Sequence, residues 1–414
     1  MPPRDGLRRA KPGYVHAIRL VAMAAGLASG LEAPARIETG AGALERLGTI
    51  ARDLGTHALL VTGQSNRTAR AGALLADAGV RWTRFAVDGE PTVDTARAGT
   101  AAALAAGCDL VIGFGGGSAL DAAKAIAALV ANGGDPLDYL EVVGRGKALT
   151  RPSLPFVAIP TTAGTGSEVT KNAVLASPEH GVKASLRSPL MLARAAIVDP
   201  DLLAGLPPAV LASSGVDALS QVIEPFLSIR ATPATDPLAR EGIRRSAAAL
   251  PRAHAAARAG QLIDPVDRQA LAQASVLGGL CLANAGLGAV HGFAAPLGGM
   301  FSAPHGAVCA ALLPAVLRVN ARAVAARSPD GPAHARFREL ATMLTGRDGA
   351  SIDDGIDWVA SLCRALEIPG LARYGLTVDR IPELVAKSRA ASSMKGNPIA
   401  LTDDELTEIA RASL

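Results

Sequence analysis

The fold is decided by residues 111–127, VIGFGGGSALDAAKAIA, where an apolar strand runs through three glycines into a helical segment. Glycine has no Cβ, so the backbone of residues 115–117 can approach a ligand closely. The N–H groups at the start of the following helix favour an anion. Ser118 is predicted to cap this helix, with Asp121 as its capping-box partner. The pattern predicts a pyrophosphate-binding turn; a tight strand-to-helix turn without a ligand is the alternative.

Strand-like and helical segments alternate on both sides of this turn. The runs predicted as strands are Pro34–Gly40, His57–Thr62, Arg81–Val87, Leu110–Phe114, Phe156–Ile159 and Ala195–Val198. Such alternation predicts a parallel sheet whose two faces are covered by helices. It also predicts a ligand site at the carboxyl ends of the strands.

The second half of the chain shows no further persuasive strand after Pro200. Apolar residues recur there at helical spacing, in Ala209–Phe226, Pro237–Ala257, Val266–Leu287, His305–Ala325 and Ala333–Leu344. We therefore predict an N-terminal extension over residues 1–32, an α/β dinucleotide-binding domain over 33–200 and an all-helical metal and substrate domain over 201–414.

Composition excludes several classes of protein. The 414 residues carry a net charge of only +4 without a basic cluster, so a nucleic-acid partner is not expected. The uncharged run Leu20–Leu31 is too short to cross a bilayer, and no convincing signal-cleavage site follows it. The four cysteines form no CxxC pair, which favours reduced thiols in a cytoplasmic protein: Cys108, Cys281, Cys309 and Cys363.

A second candidate segment is AIPTTAGTGSEVT, residues 158–170, which follows a predicted strand. It combines two glycines with five hydroxyl side chains, those of Thr161, Thr162, Thr165, Ser167 and Thr170. Hydroxyls on a glycine-containing loop suit recognition of ribose and phosphate. A hydroxyl-rich surface loop is the alternative.

A third group of residues lies in the helical half. Asp217 and Gln221 are four residues apart and so share one helix face. His291 and His305 lie on separate predicted helices in very apolar surroundings, and only tertiary folding can bring them together. A buried carboxylate with two imidazoles suits a divalent metal. Two buried histidines satisfied by hydrogen bonds are the alternative.

These segments together resemble the iron-containing, or group III, alcohol dehydrogenase family. The resemblance runs from Ala33 to Leu414 and rests on GGGSALDAAK, PTTAGTGSEVT and MKGNPIALTDDEL, the last beginning at Met394. It implies a Rossmann-like domain, a helical domain and a cleft between them, in an architecture similar to that of dehydroquinate synthase. It also implies NAD(P), a divalent metal such as iron or zinc, and a small alcohol or aldehyde substrate. We expect a homodimer.

The resemblance also implies roles for individual residues. We expect the dinucleotide to contact Gly63, Gly115, Gly116, Gly117, Ser118, Asp121, Thr161, Thr162, Thr165 and Lys183. Asp121 and Lys124 match a DxxK motif of the family. Asp217, His291 and His305 match three of its four metal ligands, and we expect these three to be catalytic.

Three positions depart from the family pattern. The fourth metal ligand is a histidine in the family but Gln221 here, a weaker donor for iron or zinc. Ala295 stands where many members have a further histidine. Gly63 stands where NAD-preferring members often have an acidic residue, so we expect NADPH to be favoured, with Arg67 or Arg70 near its 2′-phosphate.

The expected activity is reversible hydride transfer between nicotinamide and a carbonyl that the metal polarises. One alternative is a metal-free enzyme resembling maleylacetate reductases, which would polarise the carbonyl with His291, His305 or Lys183. A lyase resembling dehydroquinate synthase is a second alternative, against which PTTAGTGSEVT and MKGNPI argue. A non-catalytic binding protein is a third.

Overall fold

The structure, a computed structural model, describes residues 31–63, 68–301 and 303–414. The predicted extension and the run from Leu20 therefore lie almost wholly outside the described residues. The chain is already anchored at Glu32, whose backbone N–H donates to Asn284 Oδ1 at 2.7 Å. The Glu32 carboxylate pairs with Lys171. Glu32 thus connects the α/β half to the helical half.

The α/β half contains a six-stranded sheet in the order β1-β8-β5-β4-β2-β3, and every neighbouring pair is parallel. Its strands are β1 (Arg36–Thr39), β2 (His57–Thr62), β3 (Arg81–Ala86), β4 (Leu110–Gly115), β5 (Phe156–Pro160) and β8 (Ala195–Val198). Strands β2, β4, β5 and β8 are buried along their whole length, as expected for a parallel sheet covered on both faces. The predicted parallel sheet is confirmed.

Strand order places the ligand crevice between β2 and β4. The chain leaves β2 toward one edge of the sheet, to β3, and leaves β4 toward the other edge, to β5. Ligands of open α/β sheets bind at such a reversal, outside the carboxyl ends of the strands. Gly63 follows β2 and Gly115 ends β4, and a Cβ built on Gly115 would lie 3.6 Å from the Gly63 nitrogen. The sequence-predicted loop therefore lies at the switch point.

A two-stranded antiparallel hairpin was not predicted from the sequence. It consists of β6 (Asn172–Ser177) and β7 (Val182–Arg187). β6 alternates half-buried and buried residues, which is typical of a strand with one covered face. The short 3-10 turn Pro178–His180 joins the two strands and ends with Gly181 at φ +60°. The hairpin packs on the helix after β4 and on a helix of the second half, so it bridges the two halves.

Fourteen α-helices occur in the described residues. Five belong to the α/β half: α1 (Leu47–Leu54), α2 (Ala69–Asp77), α3 (Val93–Ala106), α4 (Gly117–Asn132) and α5 (Pro136–Tyr139). The others form the second half: α6 (Pro208–Leu227), α7 (Asp236–Arg258), α8 (Pro265–Ala285), α9 (Ala289–Phe301), α10 (His305–Arg327), α11 (Pro332–Thr345), α12 (Ile352–Ala365), α13 (Ile381–Ala390) and α14 (Asp403–Ala412). The described residues after Val198 contain no further strand, which confirms the predicted helical half.

The predicted helix over residues 266–287 is wrong at its C-terminal end. Gly286 adopts φ +69°, a left-handed conformation that favours glycine, and helix α8 ends at Ala285. Helix α9 then starts at Ala289, bent 96° away from α8. This bend carries the chain back toward α6 and brings His291 into the site.

One helix of the described residues is long and apolar enough to cross a membrane by length and composition. It is α10, and the bent pair α8 and α9 would add a second if counted as one span. In α10, 78% of the apolar window is buried inside the protein. Its apolar surface is thus used in the core of the helical half.

Candidate active site

The glycine loop after β4 leads directly into the N-terminus of α4. Gly116 is the N-cap residue, and no side chain of the described residues caps the helix. The predicted capping box of Ser118 and Asp121 is therefore wrong, because the helix begins one residue before Ser118. An uncapped helix N-terminus leaves its first N–H groups for an anion. The correction strengthens the prediction of a phosphate site here.

The three glycines differ in what surrounds them. A Cβ on Gly115 would lie 2.7 Å from Ala119 Cβ, and one on Gly117 would lie 2.7 Å from Thr165 Cγ2. Both positions need glycine for packing alone. A Cβ on Gly116 would have its nearest contact at 3.4 Å, the Thr162 hydroxyl, and its φ of −74° is unstrained. Packing does not require glycine at 116, which points to the ligand as the reason.

Asp121 and Lys124 fasten the hydroxyl-rich loop and the hairpin to α4. Asp121 Oδ1 accepts from the Ser167 hydroxyl at 2.5 Å, and its Oδ2 accepts from the Val174 N–H at 3.0 Å. The buried Lys124 ammonium donates to the carbonyls of Ser167 at 2.8 Å and Asn172 at 2.6 Å. Burial lowers the pKa of Lys124. The DxxK pair thus positions the walls of the cavity, although Asp121 also lines it.

Three helices bring four ligand atoms together in the helical half. Helix α6 supplies Asp217, the start of α9 supplies His291, and the start of α10 supplies His305 and Cys309. One ligand atom from each residue lies within 4.8 Å of all the others. The two imidazole rings are 5.3 Å apart between centroids. The predicted convergence of Asp217, His291 and His305 is present in the structure, and Cys309 is a further member that the sequence analysis missed.

Glu224 orients His291 and was also missed from the sequence. Its Oε2 lies 2.6 Å from His291 Nδ1, and its Oε1 accepts from the Val290 N–H at 2.6 Å. A carboxylate acceptor requires a proton on Nδ1, which leaves Nε2 for a metal. Asp217, Gln221 and Glu224 follow i, i+4, i+7 spacing on α6. That spacing was the available signal for a third polar residue on the same face.

The charged groups of this cluster shift one another's pKa values. Burial disfavours the charged form of Asp217, but His305 and His291 outweigh it and lower the Asp217 pKa. Burial opposes charge on His305 too, yet Cys309 and Asp217 raise its pKa to about 9. The pKa of His291 is likewise raised, against its burial, by Cys309, Asp217 and Glu224. A cation in the cluster would therefore replace protons.

The cluster fits a divalent metal by its unsatisfied atoms. Asp217 Oδ1 and Gln221 Oε1 are buried and accept no hydrogen bond from any described residue. Asp217 Oδ1 lies 3.5 Å from His291 Nε2 and 3.7 Å from His305 Nε2. Buried acceptors without donors are costly unless something else satisfies them. Carboxylate oxygen, imidazole nitrogen and thiolate sulfur are ordinary ligands of zinc and iron.

A single cavity of about 530 Å³ joins the phosphate loop to this cluster. Its lining from the α/β half includes Gly117, Ser118, Asp121, Thr165, Ser167 and Lys183. Its lining from the helical half includes Gln221, Leu282, Leu287, His291, Ala295 and His305. The cavity thus runs continuously from the α/β half to the helical half.

Two further predicted cofactor residues, Thr161 and Thr162, lie beside this cavity rather than in its wall, whereas Lys183 lines it. The Thr161 N–H donates to the Gly115 carbonyl at 2.9 Å, and Thr162 lies beside Gly116 and a separate small cavity. Lys183 forms an ion pair with Glu90 and donates to the Ala303 carbonyl at 3.2 Å. These contacts fix the position of the Lys183 ammonium in the lining of the cavity.

The geometry combines an uncapped helix N-terminus after a glycine loop and a cluster of potential metal ligands on one cavity between an α/β half and a helical half. Comparison with known proteins identifies the family. The profile of iron-containing alcohol dehydrogenases matches residues 34–200, and that of the C-terminal part of the Fe-containing alcohol dehydrogenase family matches residues 211–414. The chain belongs to the iron-containing alcohol dehydrogenase family, whose members are oxidoreductases acting on CH–OH groups.

Individual relatives agree with this assignment. The probable alcohol dehydrogenase EutG of Salmonella typhimurium is 34% identical over 384 residues, covering 90% of this chain and 92% of the relative. A solved 1,3-propanediol oxidoreductase superposes with a TM-score of 0.84 at 31% identity, covering 93% of this chain and 99% of the other. The sulfoacetaldehyde reductase of Bifidobacterium kashiwanohense, solved in complex with NAD+, gives 0.79 at 29% identity, covering 93% and 98%. The dehydroquinate-synthase-like architecture is confirmed by these neighbours.

Proposed function

We propose that this chain interconverts a small aldehyde and its alcohol by hydride transfer with NADPH, at a site that binds a divalent metal. The observation that carries the proposal is the single cavity with the phosphate loop at one end and the ligand cluster at the other. When bound, the nicotinamide would exchange the hydride and the metal would polarise the carbonyl oxygen.

The residues of this chain position the dinucleotide, the metal and the substrate. The N-terminus of α4 receives the phosphates, and the Asp121–Lys124 pair fixes the loop beside it. Asp217, His291 and His305 would hold the metal, and Glu224 keeps His291 in the required tautomer. Leu282 and Leu287 add apolar wall near the cluster, which favours a small, weakly polar aldehyde.

The preference for NADPH rests on the surroundings of Gly63. A Cβ on Gly63 would meet nothing within 4 Å, so this end of β2 is open. Two arginines were predicted to lie near the 2′-phosphate. Arg70 instead donates from Nε to Glu45 Oε1 at 2.9 Å, and Arg67 lies outside the described residues. The structure instead brings Arg84 of β3 there. Its guanidinium donates to Thr62 Oγ1 at 3.2 Å and to the Gly63 carbonyl at 3.4 Å.

Arg84→Ala is the direct test of this preference. A charge-assisted hydrogen bond contributes about 1.5–3 kcal/mol, so the KM for NADPH should rise roughly 10-fold or more while the KM for NADH changes little. Arg81→Ala, at the amino end of the same strand, is the matched control and should change neither the KM for NADPH nor the KM for NADH. Gly63→Asp should shift preference toward NADH by repelling the 2′-phosphate. Equal losses for both dinucleotides in Arg84→Ala would refute the assignment.

The role of the metal is tested by depletion and by changing Gln221. We expect chelator-treated protein to lose aldehyde reduction and to regain it with a divalent metal. Gln221→His should tighten metal binding because it adds an imidazole one turn after Asp217. Full activity in protein shown by elemental analysis to hold no metal would support the metal-free alternative. Lys183→Met would then abolish activity if Lys183 polarises the carbonyl.

Assembly and location complete the proposal. We infer a homodimer, and we infer a cytoplasmic location from the four buried free thiols of the described residues. Analytical ultracentrifugation of the full chain tests the dimer: a sedimenting mass near twice 41.8 kDa is expected, and a mass near 41.8 kDa contradicts it.

A further inference from the structure

Cys309 lies inside the ligand cluster rather than beside it. The thiol is fully buried, one helical turn after His305 on α10. Its Sγ lies 3.6 Å from His305 Nε2 and 3.8 Å from His291 Nε2. Both separations are in the range of weak thiol hydrogen bonds, and both imidazole nitrogens also face Asp217 Oδ1. The thiol therefore shares the space toward which the other three residues point.

The spacing of the four atoms matches a tetrahedral metal site. Zinc binds nitrogen or oxygen at about 2.0–2.2 Å and thiolate sulfur at about 2.3 Å, so neighbouring tetrahedral ligand atoms are roughly 3.3–3.7 Å apart. Four of the six separations among the ligand atoms of Asp217, His291, His305 and Cys309 range from 3.5 to 3.8 Å, and all six are within 4.8 Å. Asp217 Oδ1 is buried and without a hydrogen-bond donor among the described residues, as an atom reserved for a cation would be.

We propose that the Cys309 thiolate is the fourth protein ligand of the metal and takes the place of the imidazole that Gln221 does not supply. This inference rests on the proposed function and adds a residue to its site. The thiol loses its proton when the metal binds. Gln221 is part of the cavity lining, and its buried amide oxygen accepts no hydrogen bond from the described residues.

A thiolate in the set changes which metal the site favours. Soft sulfur ligands favour zinc, whereas oxygen and nitrogen ligands discriminate less strongly against iron and manganese. Zinc can also accept a fifth ligand during a reaction. Four protein ligands would therefore still allow the carbonyl oxygen of the substrate to bind to it. The expected resident metal is therefore Zn²⁺, even though the family takes its name from iron.

Cobalt substitution gives a direct readout of the thiolate. Protein freed of metal with a chelator and loaded with Co²⁺ should show a sulfur-to-cobalt charge-transfer band in the near ultraviolet. Cys309→Ser should lose this band, and its affinity for Zn²⁺ should fall by more than about 100-fold, beyond the 10- to 100-fold typical of outer-shell changes. Gln221→Ala should keep the band. Cys363→Ser is the matched control, since Cys363 is a buried thiol outside the ligand cluster whose Sγ hydrogen-bonds to the Ala310 carbonyl at 3.6 Å.

A second measurement needs no variant. X-ray absorption of the Zn²⁺-loaded natural protein should show one sulfur at about 2.3 Å. Bound Co²⁺ without the band, a zinc site without sulfur, or unchanged Zn²⁺ affinity in Cys309→Ser would each overturn the ligand assignment. Such results would leave the proposed function standing if NADPH-dependent aldehyde reduction persists. Loss of that activity under all metal conditions, with the band present, would instead reject the function and keep the ligand.

Discussion

Glu168→Gln should remove a large pH-dependent term from the stability of the protein. Glu168 lies in the hydroxyl-rich loop, is 1% exposed, and its Oε1 accepts no hydrogen bond from the described residues. Burial raises the Glu168 pKa to about 7, with Lys124 as a weaker opposing charge. The difference from the ordinary value of 4.5, at about 1.4 kcal/mol per pH unit, corresponds to about 3 kcal/mol.

The sign follows from which state holds the proton. Between pH 4.5 and 7 the unfolded chain has lost the proton while the folded chain keeps it, so the free energy of unfolding falls as pH rises through this window. Below pH 4.5 both states are protonated and the term vanishes. Above pH 7 the folded state holds a buried carboxylate and the whole penalty of about 3 kcal/mol is present. A glutamine at position 168 has no such penalty.

The assay compares Glu168→Gln with the natural protein in denaturant titrations at several pH values. The difference in free energy of unfolding between the two should grow by about 3 kcal/mol between pH 4.5 and pH 8 in favour of the variant. Glu179→Gln removes the same charge from an exposed position and should give a flat difference. A flat difference for Glu168→Gln as well would show that the buried carboxyl is solvated or paired, and would refute the reasoning.

Three further changes test the loop, the fastening pair and the metal cluster. Gly116→Val should abolish NADPH binding in a fluorescence titration with an unchanged circular dichroism spectrum, whereas Gly117→Ala, which meets Thr165 at 2.7 Å, should also lower the unfolding midpoint. Lys124→Met should destabilise by about 3–5 kcal/mol in denaturant, because Asp121 loses its charge partner and the Ser167 and Asn172 carbonyls lose a donor. Glu224→Gln should weaken metal affinity roughly 10- to 100-fold in a chelator competition, since a neutral amide holds His291 less firmly.

The sheet was predictable because its signals are local. Runs such as His57–Thr62 and Ala195–Val198 are short and mainly apolar, and the structure gives them the same bounds. The hairpin after Thr170 was not predictable in this way. The contacts that hold its strands come from residues distant in sequence, such as Asp121 on α4, which accepts from the Val174 backbone N–H. Tertiary packing rather than periodicity specifies those strands.

The residues of the site also include some that the sequence predicts and some that only the tertiary structure reveals. Asp217, His291 and His305 were predicted from the types of residue and from the resemblance to a family. The resemblance gives the family's ligand positions, but it does not show what replaces a ligand at a position where this chain differs, such as Gln221. Cys309 appeared in the sequence as one of four unpaired thiols. The sequence shows that Cys309 lies one helical turn after His305 and therefore on the same helix face. It does not show which other helices pack against that face. Only the bend at Gly286, which brings α9 against α6 and α10, makes that face the inside of a ligand cluster. A substitution such as Gln221 is therefore best judged with the surrounding helices in place, because the missing ligand need not return at the same position in the sequence.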